Sequence, residues 1–227
     1  MTEPIPVIAI DGPGGSGKGT VSLRLASRLG FHLLDSGALY RLVAIAASEQ
    51  HLSQDDEPAM GRVAAQLDTE FFISEQEVRV LLNGLDVSQR LRSEEVSVLS
   101  SRLAALPAVR AALVERQRAF RQLPGLVADG RDMGTVIFPD ASLKIYLTAS
   151  VEERAHRRYK QLKDKGESVN LSRLFQEIEE RDRRDQARPV APLRTAFDSH
   201  IIDSSELSVD EVLGKILTLW KERQATD

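Results

Sequence analysis

The segment IAIDGPGGSGKGT, residues 8–20, joins a short apolar run to a glycine-rich loop ending in Lys18. Glycine lets backbone N–H groups come close to an anion, and the first turn of a following helix adds partial positive charge. Two phosphate-binding fingerprints overlap here. Gly12, Gly14 and Gly17 fit G-x-G-x-x-G, the turn that holds a dinucleotide; Gly12, Gly17 and Lys18 fit most of G-x-x-x-x-G-K-[ST], the loop that cradles a nucleoside triphosphate. Asp35 stands roughly where a dinucleotide enzyme places its ribose carboxylate, so the glycines alone leave both readings open. Lys18 favours the triphosphate, because phosphates in transfer need a point charge close by. Gly19 takes the place of the usual hydroxyl residue, and Thr20 comes one position late. Mg²⁺ is therefore expected on phosphate oxygens and water, with no protein metal ligand assigned, and Thr20 at a phosphate. A switch GTPase is excluded: its guanine-reading Asn-Lys-x-Asp is absent, since Asn83 and Asn170 are the only asparagines.

A kinase needs a second anion site opposite the first. Leu171, Leu174, Phe175 and Ile178 form the inward stripe of a helix, and the same stripe continues as Arg181, Asp185 and Arg188. A buried ion-pair network and a ligand site both fit that change from apolar to charged. The ligand site is favoured, because guanidinium forks suit phosphate and a carboxylate suits ribose hydroxyls. In DGRDMG, Asp129, Arg131 and Asp132 follow a strand, where open parallel sheets place their ligands. Beside Lys18 and the helix arginines they point to an anionic, polar substrate.

The elements that must position these groups follow from pattern and punctuation. Val7–Ile10 reads as a strand ending at Asp11, Thr20–Arg28 as a helix stopped by Gly30, Phe31–Leu34 as a second strand, and a helix then starts at a cap on Asp35 or Ser36. That order begins a parallel α/β sheet. Residues 68–93 break the rhythm: FFI, VRVLL and LDVS look like strands, with a hairpin at Asn83-Gly84, hence a small β-rich insertion. Helices divided at Pro107, strands at GLVADG and LKIYLTAS, a long helix ended by Pro189, a last strand HIIDSS and a capped closing helix complete the chain. The fold class is α/β: a P-loop-type parallel sheet core (1–62 and 103–227) flanked by helices, with an inserted subdomain at about 63–102 and a short lid at about 154–170. The basic run from Arg154 to Lys165 fits either a solvated helix face or that lid, with a turn at Asp164-Lys165-Gly166.

Composition narrows the class further. The 227 residues carry no cysteine, which excludes disulfides, thiolate metal sites and cysteine nucleophiles, and the four histidines show no metal-ligand spacing. A net charge of −4 argues against nucleic-acid or membrane partners, and neither a signal peptide nor a spanning segment is apparent, so a cytoplasmic protein is expected. A monomer is expected too, since no amphipathic element is left over once the sheet is covered.

IDGPGGSGKGT, LDSGALYR, ADGRDMGTVIFPDA and RDRRDQAR, in that order and across essentially the whole chain, resemble the signature segments of the bacterial cytidylate kinases, a family of P-loop nucleoside monophosphate kinases. The resemblance implies transfer of a phosphoryl group from ATP to CMP or dCMP. Gly12, Pro13, Gly14, Gly15, Ser16, Gly17, Lys18, Gly19 and Thr20 would hold the ATP phosphates. Ser36, Tyr40 and Arg41 would line the monophosphate pocket, Arg131, Arg181 and Arg188 would reach phosphate, and Asp185 with Arg181 the ribose. Ser101, Arg110 and Asp132 would face cytosine, and Lys18, Arg131 and Arg188 would neutralise charge on the moving group. The alternatives are a kinase for UMP, AMP or dTMP, a nicotinamide dehydrogenase, and a nucleotide sensor without catalysis.

Overall fold

The computed structural model describes residues 4–73, 78–164, 166 and 168–225. The core sheet is built from β1 (Val7–Asp11), β2 (His32–Asp35), β6 (Leu126–Gly130), β7 (Leu143–Thr148) and β8 (His200–Asp203), in the order β2-β6-β1-β7-β8 with every pairing parallel. The chain turns outward in opposite directions after β1 and after β7, so a crevice opens at the carboxyl ends of these strands, where open parallel sheets take ligands. Asp11, Asp35 and Asp129 stand at or next to those ends.

Both sheet faces are covered. Ile8, Ile10, Val127 and Ile145 pack beneath α1 (Lys18–Leu29) and α8 (Val209–Gln224), whose Leu25, Ile216 and Trp220 point inward. Val7, Ala9 and Ala128 face α2 (Ser36–Glu49), which is apolar almost all round and correspondingly buried, together with α3 (Glu57–Ala65), α4 (Glu94–Leu103) and α5 (Pro107–Arg118). Gly30 ends α1 in the left-handed conformation, Asp35 caps α2 by accepting from the Ala38 amide at 3.0 Å, and Ser208 with Glu211 forms a capping box on α8.

A second, antiparallel sheet of β3 (Thr69–Ile73), β4 (Val78–Leu82) and β5 (Leu85–Asp86) occupies the expected β-rich stretch. Asn83 and Gly84 both have positive φ, 50° and 75°, as a two-residue hairpin turn requires. The last strand is shorter than the expected LDVS, because the Ser88 hydroxyl takes the Val80 amide at 2.9 Å and ends the ladder. Val80 and Leu82 belong to the same apolar cluster as Val7 and Ala128, so the small sheet shares the core.

Three elements lie outside the sequence expectation: α3, a short 3-10 helix at Arg90–Arg92 and a π-helical turn at Met133–Ile137. The basic run forms α6 (Val151–Asp164), and Lys165 of the expected turn lies outside the described residues. Helix α7 (Leu171–Ala187) stops one residue earlier than the inward stripe implied, leaving Arg188 extended before Pro189.

Candidate active site

The loop between β1 and α1 is shaped as an anion cradle. None of the backbone N–H groups from Gly14 to Gly17 donates a hydrogen bond to the described residues. The neighbouring carbonyls, by contrast, are occupied: Pro13 O accepts from Lys18 Nζ at 2.8 Å and from Ser16 Oγ at 3.1 Å, Gly14 O from Arg154 at 3.2 Å, and Ser16 O from Ser204 Oγ at 3.0 Å. Side chains thus hold the oxygens while the amides stay free for a ligand. Gly12 (φ 151°) has no alternative residue, since a side chain there would meet the Leu147 carbonyl at 2.0 Å. Gly12 and Pro13 are buried beneath the loop, whereas Gly14 to Thr20 line a cleft of about 850 Å³.

Lys18 opens α1 and is 5% exposed. Burial, with the Arg131 charge beside it, pushes its ammonium down to about 7 against the pull of Asp129 and Asp11. A ligand phosphate would reverse that balance. Asp129 lies across from the helix start, its Oδ2 3.6 Å from where a Gly19 side chain would begin, and burial raises its carboxyl to about 6 despite Lys18. It accepts no hydrogen bond from the described residues.

Opposite the loop stand the arginines. Arg131, one residue past β6, donates from Nε to Asp185 Oδ2 at 2.8 Å, and Arg188 Nη2 bonds the other oxygen of that carboxylate. Asp185 is 1% exposed; burial disfavours its charge, but Arg131, Arg188 and Arg181 together hold its carboxyl below the ordinary range. Arg181 reaches Ser97 Oγ on α4 at 2.9 Å, and burial lowers its guanidinium to about 10. The Nε atoms of Arg181, Arg184 and Arg188 are buried with no partner among the described residues. Buried donors left unmade cost free energy that an anion would recover. A methyl group placed on Gly14 would lie 3.5 Å from both Arg131 Nη2 and Arg181 Nε, so these arginines meet the loop directly.

At the far end Arg110 and Asp132 form a buried ion pair, with Arg110 also donating to Ala104 O at 3.0 Å and lying 5.8 Å from the Tyr40 ring centroid. Burial raises the Asp132 carboxyl against the attraction of Arg110 and Arg188. Among the described residues Ser101 Oγ is buried without a partner and Arg41 forms no ion pair; Arg41 shares the cleft wall with Ser36, Tyr40 and Asp132. Nearly all the expected residues therefore meet in one place. The exceptions are Gly12 and Pro13, which lie beneath the loop, and Arg110 and Asp185, which stand behind the wall, the first backing Asp132 and the second backing Arg131 and Arg188.

Several groups at the site were not among the expected site residues, although Arg157 and Arg158 fall in the expected basic run. Asp11 accepts the Met133 and Gly134 amides, each at 2.8 Å, and so fixes the π-helical turn that follows Asp132; burial raises its carboxyl to about 7. Arg157 donates to Ser204 Oγ at 3.1 Å and to Ser16 O at 3.4 Å. Arg158 of α6 pairs with Glu94 of α4 at 2.6 Å across the cleft mouth. No single helix among the described residues is long and apolar enough to cross a membrane.

Comparison with known proteins agrees with this arrangement. Residues 8–222 match the family described as Cytidylate kinase. A cytidylate kinase of Aeromonas salmonicida is 55% identical over 227 residues, covering 100% of this chain and 98% of the relative, and one of Chromobacterium violaceum is 55% identical over 222 residues, covering 98% of each. A solved structure of an uncharacterized protein from Eubacterium ventriosum shares the fold at TM-score 0.50 and 12% identity, over 94% of this chain and 97% of that one. With four ordered motifs, a parallel sheet carrying a lysine-bearing phosphate loop, and full-length relatives at this identity, the chain belongs to the cytidylate kinase family.

Proposed function

We propose that the cleft transfers the terminal phosphoryl group of ATP to CMP or dCMP, giving ADP and CDP or dCDP, with the loop of residues 12–20 on the donor side and the arginines on the acceptor side. The observation that carries the assignment of sides is the meeting of Arg131 and Arg181 with Gly14, which sets two guanidinium groups against a polyphosphate cradle. The acceptor is already an anion, so it needs no general base. Catalysis rests on alignment and on neutralising charge as it moves, by Lys18, Arg131 and Arg188.

Arg41, Arg131, Arg181 and Arg188 hold the acceptor phosphate in this reading, and Asp185 keeps two of them aimed. Asp132 accepts from the cytosine amino group and Ser101 faces a ring acceptor, with Arg110 holding Asp132 from behind the wall; uracil would set a carbonyl against Asp132. Mg²⁺ fits the donor set, since Asp129 is a cleft-facing carboxylate without a hydrogen bond, and Mg²⁺ commonly takes one carboxylate with waters and phosphate oxygens. It would neutralise phosphate charge. Residues 63–102 form the acceptor-side insertion in this reading, and α6 with the turn after it the lid that excludes water. Both subsites come from one chain, which supports a monomer as the working unit.

The deciding experiment is a panel of CMP, dCMP, UMP, AMP and dTMP with ATP, read as ADP release. CMP and dCMP are expected to lead. A preference for AMP or dTMP would reassign the base pocket, and no turnover with any acceptor would leave only nucleotide binding.

A further inference from the structure

Arg154 is a cation beside a polyphosphate loop whose guanidinium is already spoken for. It is 3% exposed, and its Nε donates to Ala149 O at 3.0 Å, its Nη1 to Gly14 O at 3.2 Å, and its Nη1 and Nη2 to the two oxygens of Asp182 at 3.0 and 2.6 Å. Its aliphatic stem packs on the loop as well, since a side chain on Gly15 would begin 3.2 Å from Arg154 Cβ. Asp182 stands on α7 directly after Arg181 and neutralises a charge that would otherwise be free to turn into the cleft.

We infer that Asp182 and Arg154 are a positioning pair for the donor loop: Asp182 fixes the Arg154 fork, and the fork holds the Gly14 carbonyl outward so that the Gly14–Gly17 amides converge on phosphate. The physical need is specific. A cradle of N–H groups works only if the intervening carbonyls face away, and a short glycine-rich loop has little intrinsic resistance to a peptide flip that would aim an oxygen at the ligand. The bidentate Arg–carboxylate geometry supplies that resistance from outside the loop. It also mounts the donor loop on α7, the helix that carries Arg181 and Asp185. This inference rests on the loop being the ATP site.

The test is ATP affinity by calorimetry, with CMP KM and melting temperature alongside, for Asp182→Asn, Arg154→Lys, the double variant and Lys18→Ala. Asp182→Asn and Arg154→Lys should each weaken ATP binding by about tenfold, the scale of a misplaced cradle. The double variant should be no worse than the weaker single, because the two act as one unit. CMP KM should move less than about twofold, and the nucleotide-free fold should melt as a single cooperative transition. A defect in Arg154→Lys with parent-like Asp182→Asn would make Arg154 a direct phosphate ligand and overturn the pairing; additive defects, or equal losses for ATP and CMP, would overturn it also. If Lys18→Ala leaves ATP affinity intact, the assignment of the loop itself fails. If Lys18→Ala loses affinity and Asp182→Asn does not, only the positioning role falls.

Discussion

Asp185 accepts Arg131 Nε on one oxygen at 2.8 Å and Arg188 Nη2 on the other, so a single buried carboxylate aligns two guanidinium groups that follow different elements, β6 and α7. Removing one member of such a buried set leaves uncompensated charge and costs about 3–5 kcal/mol. Asp185→Asn should therefore lower the melting temperature and raise the KM for CMP by about tenfold or more, with the KM for ATP nearly unchanged. A parent-like KM for CMP would mean the arginines keep their aim without it.

Lys18→Ala should reduce turnover by about three orders of magnitude or more, in keeping with the loss of a charge that acts on the transferring group. The fold should survive, because the only side-chain hydrogen bond lost among the described residues is the one to Pro13 O. Steady-state kinetics with thermal melting decides this; normal turnover would remove the donor assignment.

Proton linkage follows from the same residue. The Lys18 ammonium is pushed down to about 7 by burial and by Arg131, from an ordinary 10.5. A base with a depressed folded value loses its proton in the native state first, so its contribution to stability rises as pH climbs from about 7 to 10.5. Polyphosphate beside the ammonium restores the proton, so ATP binding should take up a proton above about pH 7 and weaken as pH rises further. Calorimetry in buffers of different ionisation enthalpy reads the uptake directly. Lys18→Arg, which stays charged, should abolish it.

Asp132→Asn exchanges an acceptor for a group that can also donate. The kcat/KM for CMP should fall by about a hundredfold or more, and UMP should lose less, so the preference between them narrows. ATP affinity should hold. Equal losses for CMP and UMP would make Asp132 a structural partner of Arg110 and nothing more.

What could be read from the chain was whatever is encoded locally. The strand, loop and helix around residues 7–29, the Asn83-Gly84 hairpin and the caps at Asp35 and Ser208 all depend on neighbours in sequence, and each stands where the pattern put it, except that the helix starts two residues early, at Lys18, and ends one late, at Leu29. The α3 helix escaped because it is short and interrupted by Gly61, a residue there for contact rather than propensity: a side chain at that position would touch Ala108 Cβ at 3.0 Å. The π-helical turn escaped because Asp11, 122 residues away, holds its amides. Arg131, Arg181 and Arg188 were visible as charge on a strand end and an inward stripe, whereas Arg110 was reached only through the family resemblance. The Arg154–Asp182 pair joins residues 28 apart on two different helices, and no spacing rule on either helix announces it.

Val80 and Leu82 of the small sheet lie in one apolar cluster with Ala9 and Ala128 of the large one, and α2 contributes Leu42 and Ile45 to it. The hairpin region is consequently no detachable cassette. Excising it would strip the cover from α2 and wet the very layer on which β1 rests, so a trimmed chain should aggregate instead of persisting as a smaller ATPase.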